Sequence, residues 1–217
     1  MTALMKMEQV SYRYPVRGLV LDQVDMSLFA GERVSLEGGN GAGKTTLLNL
    51  LVGLNKPKSG SVFAFGRERK VEADFIEVRG KAGFLFQDPD DQLFCPTVIE
   101  DVAFGPLNQG KTPDEAKAIS LEVLDCLGMA GFEDRVTHQL SGGEKRLITL
   151  ASVLAMKPEV LLLDEPSNAL DKTARLRLIE VLLSLPQAMI IISHESAFLD
   201  ALVTRRTRLE GGKVHDA

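Results

Sequence analysis

The 217-residue sequence lacks the features that would place it in a membrane or on nucleic acid. Its longest apolar runs, 160–163 and 188–192, are far shorter than the roughly 20 residues of a membrane-spanning helix, and no charged-then-apolar leader is present at the N-terminus. With 25 Lys and Arg against 30 Asp and Glu, the formal net charge is −5 and there is no basic block, which argues against unspecific binding to nucleic acid. We therefore expect a cytoplasmic protein, free or peripherally attached to a membrane.

The sequence also has few cysteines and no break that would separate domains. Cys95 and Cys126 stand far apart, without the spacing of a metal site or a disulfide framework, so we expect two reduced, buried thiols. No Pro- or Ser-rich linker and no internal repeat is found, and 45% hydrophobic with 25% charged residues are globular values. The sequence therefore predicts a single domain over residues 1–217.

One glycine-rich stretch carries the strongest chemical signal. Residues 37–46 read Glu-Gly-Gly-Asn-Gly-Ala-Gly-Lys-Thr-Thr and fit G-x-x-x-x-G-K-[ST], the pattern of a phosphate-binding P-loop. The stretch follows a predicted strand at 33–37 and precedes apolar residues with helical spacing at 46–52, which Gly53 is suited to end. A strand, a glycine loop and a helix in this order are the setting in which the pattern binds a nucleotide.

The residue types of this loop indicate how it would hold ATP. Converging backbone N–H donors need residues that tolerate unusual φ and ψ, and we expect Gly38, Gly39, Gly41 and Gly43 to supply that freedom. The next helix points its positive end at the phosphates, Lys44 can reach the β and γ oxygens, and the Thr45 hydroxyl can ligate Mg²⁺. The predicted nucleotide-binding residues of the loop are Gly38, Asn40, Gly41, Ala42, Gly43, Lys44, Thr45 and Thr46.

Strands are predicted at both ends of the chain. Alternating, β-prone residues predict antiparallel strands near the N-terminus, and continuous apolar runs predict parallel strands buried on both faces. The predicted strands span 4–14, 24–28, 33–37, 61–65, 82–86, 160–163 and 188–192, with an edge hairpin at 207–214. Helices predicted at 172–185 and 196–202 alternate with the last strands, which indicates an α/β sheet.

A helical insert is predicted at approximately 88–157. Three helices there begin with a capping box, in which Ser or Thr is followed three residues later by Glu. The boxes are Thr97–Glu100, Thr112–Glu115 and Ser141–Glu144. The expected fold class is therefore α/β: a P-loop NTPase with a mainly parallel central sheet, an antiparallel β lobe and this insert.

Polar residues follow the buried strands, at the sheet edge where ligands of open α/β proteins bind. They are Gln87, Asp164, Glu165 and His194. Asp164 can hold Mg²⁺ through water beside the P-loop, and Glu165 can orient or deprotonate an attacking water. The alternative for Asp164 and Glu165 is ordinary capping of the next helix, and for His194 a surface histidine.

In their order along the chain, these residues resemble the motifs of ATP-binding cassette (ABC) ATPases. The matches are Tyr14 for the aromatic residue that stacks on adenine, with Tyr12 less favoured, Gln87 for the Q-loop, Leu140-Ser141-Gly142-Gly143-Glu144 for the signature motif, Ala169-Leu170-Asp171 for the D-loop and His194 for the switch histidine. Within the family, residues 86–94 and 103–108 most resemble the cobalt/nickel and energy-coupling-factor importers.

The signature segment also has a physical interpretation of its own. Ser141 at a helix N-terminus, with Gly142 and Gly143 behind it, would form a second anion site from N–H groups and the positive end of the helix dipole. The alternative is that Ser141 and Glu144 merely cap their helix. Capping alone would not require two adjacent glycines, each of which costs a helix about 1 kcal/mol.

The resemblance implies an ATPase that uses ATP and Mg²⁺ and works as a homodimer or heterodimer with another ABC ATPase. In the family, the signature of one subunit closes over the γ-phosphate on the P-loop of another. The residues implied to be catalytic are Lys44, Gln87, Glu165 and His194; those implied to hold the metal are Thr45, Gln87 and Asp164; and Tyr14, Ser141, Gly142, Gly143 and Asp171 join the nucleotide-binding set.

The resemblance further implies an integral membrane transporter subunit as partner and no nucleic acid. The helical insert would dock on that subunit, with Asp90, Asp91, Gln92 and Phe94 near the contact, and would hold the protein at the inner face of the membrane. Two rival functions stay open from the residues alone. One is an ABC protein that handles nucleic acid or ribosomes, and the other is a P-loop kinase of small metabolites.

Overall fold

A computed structural model describes residues 2–217, in which ten strands and seven α-helices are found. The strands are β1 Met5–Tyr14, β2 Gly18–Leu28, β3 Arg33–Glu37, β4 Ser59–Ala64, β5 Arg67–Arg69, β6 Ala82–Leu85, β7 Val160–Asp164, β8 Ala188–Ile192, β9 Arg205–Glu210 and β10 Lys213–Asp216. The helices are α1 Lys44–Leu51, α2 Glu72–Lys81, α3 Val98–Asn108, α4 Pro113–Cys126, α5 Gly142–Ala155, α6 Lys172–Ser184 and α7 Ser196–Leu202, with 3-10 turns at Pro89–Asp91 and Thr137–Gln139. Within residues 2–217, no helix has the length and apolar character needed to cross a membrane.

The strands form two sheets that differ in strand direction. The first has the order β2-β1-β4-β5 and is antiparallel, with Met5 opposite Leu28 on one side and Ala64 on the other. The second has the order β10-β9-β3-β8-β7-β6. In it, β3 runs parallel to β8 and β9, while β10 is the antiparallel edge partner of β9. The predicted α/β fold, with an antiparallel lobe and an edge hairpin near the C-terminus, is confirmed.

Contacts within the chain divide it into two compact units. Unit 1 comprises the described residues up to 82 together with 159–162 and 187–217, and unit 2 comprises 83–158 and 163–186. Unit 1 therefore contains the antiparallel sheet, the strands β3, β8, β9 and β10, and the helices α1, α2 and α7. Unit 2 contains helices α3 to α6, and the insert predicted at 88–157 lies within it.

Unit 1 is built around apolar strands and helix α1. All five residues of β8 are buried, as are Val34 and Leu36 of β3. The continuous apolar run at 188–192 is therefore covered on both faces, as predicted for a central parallel strand. Helix α1 turns its leucines inward and buries Leu47, Leu48, Leu50 and Leu51.

Unit 2 is mainly helical. Helices α3, α4 and α5 pack on one another, and α4 buries Ala116, Ser120 and Leu124. The three predicted capping boxes are all present, one at the start of each of these helices. Each box satisfies amide groups that have no acceptor within the helix, which fixes where the helix begins.

Helix α2 has no counterpart among the predicted elements. Its N-cap residue is Val71, whose side chain cannot accept a hydrogen bond, and only Phe75 and Val78 of its ten residues are buried. Neither a cap signal nor an apolar period therefore marks this helix in the sequence. Asp74 supplies the cap from inside the helix by accepting from the amides of Lys70 and Val71 at 2.9 and 3.0 Å.

Strand β2 extends beyond its predicted limits, and helix α3 contains an internal proline. Strand β2 begins at Gly18, opposite Tyr14, because the connection at 15–17 is a tight turn. Helix α3 continues through Pro106 to Asn108, and its last turn is closed by the Gln109 amide, which donates to Gly105 O at 3.1 Å. Proline is tolerated there because only one helical hydrogen bond is lost.

The prediction of two buried thiols is wrong. Both cysteines are free thiols, but Cys95 is only half-buried and Cys126 is exposed at the end of α4. Burial, reinforced by the neighbouring Asp101, raises the pKa of Cys95 to about 11. Cys95 is therefore a poor nucleophile at neutral pH.

A substitution at Gly53 tests how tightly unit 1 is packed just after α1. We expect Gly53→Ala to lower the free energy of unfolding by about 2–5 kcal/mol, from the cost of a left-handed backbone and from overpacking. The φ angle of Gly53 is +75°, and a Cβ there would lie 2.2 Å from Cγ of Phe75. The measurement is urea denaturation.

Gly66 provides the matched control, because its φ angle is +77° and a Cβ on it would meet nothing within 4 Å. Gly66→Ala should cost only the backbone contribution of about 1–2 kcal/mol. Equal losses in the two variants would contradict the packing argument.

Candidate active site

The loop between β3 and α1 surrounds the Lys44 side chain with backbone groups. Lys44 Nζ donates to Gly38 O at 2.8 Å and to Gly39 O at 3.1 Å, and only 8% of the residue is exposed. Within residues 2–217, no carboxylate lies within ion-pair distance of this ammonium group. A buried charge without a counter-ion is costly, so the loop is built to receive an anion.

The backbone of the loop requires glycine at three of the four positions where the sequence predicts it. Gly38, Gly41 and Gly43 have φ angles of 147°, 76° and 111°, values that residues with a Cβ adopt only with strain. Gly39 is the exception, since its φ is not positive and a Cβ there would meet nothing within 4 Å. The prediction that Gly39 supplies conformational freedom is therefore wrong.

The first turn of α1 presents the remaining P-loop residues. Gly43 is its N-cap, and Thr45 is exposed while Thr46 is buried. Asn40 is exposed at the tip of the loop, and the Ala42 amide donates to Gly39 O at 3.1 Å. The N-terminal amides and dipole of the helix thus lie beside the buried ammonium group, which is the arrangement that binds phosphate.

The end of β1 is fastened to this helix. The Tyr14 hydroxyl lies 3.1 Å from Oγ1 of Thr46. Tyr14 is half-buried, and the ring of Tyr12 packs edge-on against it with centroids 5.0 Å apart. The structure therefore brings Tyr14, the predicted adenine-stacking residue, into contact with the P-loop helix.

His194 also lies near the start of the P-loop. It follows β8, is exposed, and lines a cavity of about 320 Å³ together with Gly38, Gly39, Ser193 and Arg208. Unit 1 thus brings together the predicted P-loop, aromatic and switch residues. Gln87, Asp164, Glu165, Ser141 to Gly143 and Asp171 all belong to unit 2.

In unit 2, strand β7 delivers the two predicted carboxylates. Asp164 is its last residue and is only 2% exposed. Glu165 follows in a left-handed conformation with a φ of 51°. Such strain in a residue other than glycine is typical of functional sites, where the surrounding structure holds the side chain in a required direction.

Arg146 is a functional residue that sequence reasoning missed. It is 2% exposed, and its guanidinium donates to Phe86 O at 2.5 Å and to Gln87 O. The Q-loop backbone is thereby fixed to helix α5, four residues after the start of the helix. The Gln87 residue itself is exposed. The sequence offered one signal for its burial: Arg146 stands directly before the apolar pair Leu147-Ile148, in a helix that must bury one face.

Acidic residues of the predicted site act on the charge of Arg146. Burial lowers the pKa of this guanidinium, and the negative charges of Asp164, Asp88 and Glu165 oppose that shift. A second cation of the same helix, Lys145, pairs with Asp90 at 2.6 Å. The first turns of α5 therefore hold the segment 86–91 through two positive side chains.

The signature segment forms the start of α5. Ser141 Oγ accepts from the Glu144 amide at 3.3 Å and donates to Glu144 Oε2 at 2.8 Å. A Cβ on Gly143 would lie 3.0 Å from Ala169 O, so glycine allows the D-loop backbone to approach. This close approach is a packing reason for Gly143 that the sequence did not reveal. Asp171 caps α6 by accepting from the Ala174 amide at 2.8 Å.

Comparison with known proteins agrees with these features. The family described as "ABC transporter" matches residues 21–168. A protein of Brucella suis biovar 1 with the provisional name ABC transporter ATP-binding protein is 52% identical over 99% of this chain and 89% of its own length. The energy-coupling factor transporter ATP-binding protein EcfA of Methanothermobacter thermautotrophicus is 41% identical over 97% of this chain and 69% of its own length.

Solved structures show the same fold. Clostridium perfringens cbiO1, described as part of the ABC transporter complex cbiONQ, has a TM-score of 0.87 and 31% identity, covering 99% of this chain and 88% of that chain. The dimeric post-hydrolysis state of the ATP-binding cassette MJ0796, bound to ADP and Pi, has a TM-score of 0.89 and 26% identity, covering 98% and 97%. The chain therefore belongs to the ABC transporter family, as one of its ATP-hydrolysing ATP-binding proteins.

Proposed function

We propose that this protein powers a separate membrane importer, of the cobalt/nickel or energy-coupling-factor type, by binding and hydrolysing Mg-ATP. The observation that carries nucleotide binding is Lys44, a buried cation that is hydrogen bonded to carbonyl oxygens at the N-terminus of α1. A polyphosphate supplies the missing negative charge. The importer type is supported by the similarity to EcfA and cbiO1.

For hydrolysis we assign the chemical role to Glu165 and positioning roles to Gln87 and His194. A carboxylate that accepts a proton from the attacking water, or orients it, is the group that phosphoryl transfer to water needs. The position of Glu165 directly after the buried strand β7 supports this role, because ligands of α/β proteins bind beyond the carboxyl ends of the strands. Lys44 stabilises the charge that develops on the phosphoryl oxygens.

Mg²⁺ is proposed to be held by Thr45, Gln87 and Asp164. These residues offer hydroxyl, amide and carboxylate oxygens, the hard ligands that Mg²⁺ prefers. Within residues 2–217 there is no group of three or more His, Cys, Asp or Glu side chains that could hold a metal ion, which fits an ion bound by few protein groups together with substrate phosphates and water. When bound, Mg²⁺ neutralises charge on the phosphates during transfer.

We further propose that Ser141, Gly142 and Gly143 complete the site of a second subunit in a head-to-tail homodimer or heterodimer. Ser141 and Gly142 are exposed at the start of α5, where unpaired amides and the helix dipole favour an anion. The dimeric structure of MJ0796 supports an assembly of this kind. Asp171 belongs to the same proposed surface.

The membrane partner is proposed to dock on an exposed aromatic pair in unit 2. Phe94 and Phe104 are 66% and 44% exposed, and their rings pack edge-to-face with centroids 4.8 Å apart. Asp101 holds the loop in place by accepting from the amides of Phe94 and Cys95 at 3.2 and 3.1 Å. Exposed aromatic groups on a fixed backbone are typical of a protein interface. Docking would keep the protein at the inner face of the membrane.

The assignment of Glu165 predicts that Glu165→Gln abolishes turnover but keeps ATP-dependent dimers. The substitution preserves shape and removes the proton acceptor, so the steady-state ATPase rate should fall roughly 100- to 10,000-fold. Sedimentation velocity with ATP should still detect dimers. Glu159→Gln, at the other end of β7, is the control and should keep wild-type turnover. Wild-type turnover in Glu165→Gln would refute the assigned role.

The composite site predicts that Ser141→Arg blocks dimer closure without abolishing ATP binding. An arginine at this N-cap fills the space of the phosphate and loses the capping hydrogen bonds. Sedimentation with ATP should detect monomers, and equilibrium dialysis should detect bound ATP.

Thr112→Arg is the matched control, because Thr112 caps α4 in an equivalent box with Glu115. It should lose the same kind of cap and still form ATP-dependent dimers. Dimer formation by Ser141→Arg, or loss of dimers in both variants, would count against the composite site.

The docking surface predicts that Phe94→Asp releases the protein from membranes of the source organism. A buried carboxylate would oppose an apolar contact, while ATP hydrolysis by the free protein should be unchanged. Ile76→Asp is the control, since Ile76 is also 66% exposed but lies on α2. Quantitative immunoblotting of membrane fractions checks the outcome, and equal retention of both variants would exclude Phe94 from the interface.

A further inference from the structure

Arg17 occupies an unusual position in the turn between β1 and β2. Its guanidinium reaches across to the P-loop and donates to Gly41 O at 2.5 Å. Arg17 is exposed, and no carboxylate in the described residues 2–217 pairs with it. The side chain therefore brings an uncompensated positive charge to a loop that already contains the cation of Lys44.

The turn that carries Arg17 is fixed on both sides. Before it, the Tyr14 hydroxyl lies 3.1 Å from Oγ1 of Thr46. After it, Val20 and Leu21 pack so closely on the P-loop that a Cβ on Gly43 would lie 2.6 Å from Cγ1 of Val20. Both strands of the hairpin thus contact the loop and the first turn of α1. The fold therefore places the backbone of Arg17 beside the P-loop.

The acceptor that Arg17 uses here is a weak one for a guanidinium. A neutral carbonyl occupies one of five N–H donors, whereas a phosphate group carries charge and two of its oxygens accept parallel hydrogen bonds from the guanidinium fork. A polyphosphate on the P-loop would offer such oxygens beside Gly41. Exchange of the carbonyl for such an oxygen would give Arg17 a stronger partner.

We propose that Arg17 is a nucleotide-binding residue that contacts the phosphates of ATP and ADP from the β1–β2 turn. The inference rests on the proposed nucleotide binding at the P-loop. Beside Lys44, Arg17 adds a second positive side chain, on the face of the loop that the β1–β2 hairpin covers. Arg17 contributes affinity through charge and through its paired donors, and a residue with only one of these properties replaces it incompletely.

A series of substitutions at Arg17 tests this role by isothermal titration calorimetry with ADP. Arg17→Ala and Arg17→Gln should each weaken ADP binding about tenfold, and Arg17→Lys should lie between them and the wild type. The dissociation constants of the Ala and Gln variants should also depend less steeply on salt, because one charge of the site is gone. Arg13→Ala, which removes an exposed arginine of β1, should bind ADP like the wild type.

The glutamine variant separates phosphate binding from support of the loop. Its amide retains N–H donors without the charge, so wild-type affinity in Arg17→Gln with weak binding in Arg17→Ala would show that Arg17 only supports the loop, and would overturn the proposal. Unchanged ADP affinity in all Arg17 variants would overturn it as well. Failure of the wild-type protein to bind ADP would instead refute nucleotide binding at the P-loop.

Discussion

The P-loop depends on the pairing of one buried ammonium group with two peptide carbonyls. Gly38 O and Gly39 O, at 2.8 and 3.1 Å from Lys44 Nζ, turn their negative ends toward the charge and hold the loop open around it. Two carbonyl dipoles compensate a full charge only in part. The loop is thus fully folded, but the charge of Lys44 is only partly compensated. A bound phosphate supplies the missing negative charge.

Arg146 is a second buried cation, and its surroundings differ from those of Lys44. It is also a buried cation on two carbonyls, those of Phe86 and Gln87, yet the charges of Asp88, Asp164 and Glu165 act on it. These carboxylates offset part of the cost of burial, which still lowers the pKa of the guanidinium, and the two hydrogen bonds let Arg146 position the backbone of Phe86 and Gln87 against α5. The surroundings of a buried cation, more than its depth, therefore distinguish a binding residue from a positioning residue.

The sequence was sufficient wherever a local rule decides the structure. The strand-loop-helix pattern of the P-loop, the three capping boxes and the apolar runs at 160–163 and 188–192 each act over a few residues, and all form as predicted. Two kinds of feature were missed. Helix α2 is capped from within by Asp74, outside the usual cap signals. The contacts of Arg146 and Arg17 join residues about 60 and 24 positions apart. No local pattern records such pairs. The prediction for Gly39 was wrong for a different reason. The residue lies within the P-loop motif, but its backbone does not need the conformational freedom of glycine.

At Ser141, the observed capping and the proposed anion binding would use the same hydroxyl. Glu144 accepts from both the amide and the hydroxyl of Ser141 at 2.8 Å, and these hydrogen bonds, the backbone one first, lower the pKa of Glu144 and keep it charged. A phosphate at this helix end would meet that negative charge, which Arg135 offsets only in part from 3.2 Å in an exposed pair. The hydroxyl must leave Glu144 before it can donate to a phosphate. The amides of Gly142 and Gly143 and the helix dipole oppose this cost. The affinity of the proposed signature contact is therefore the difference between these effects.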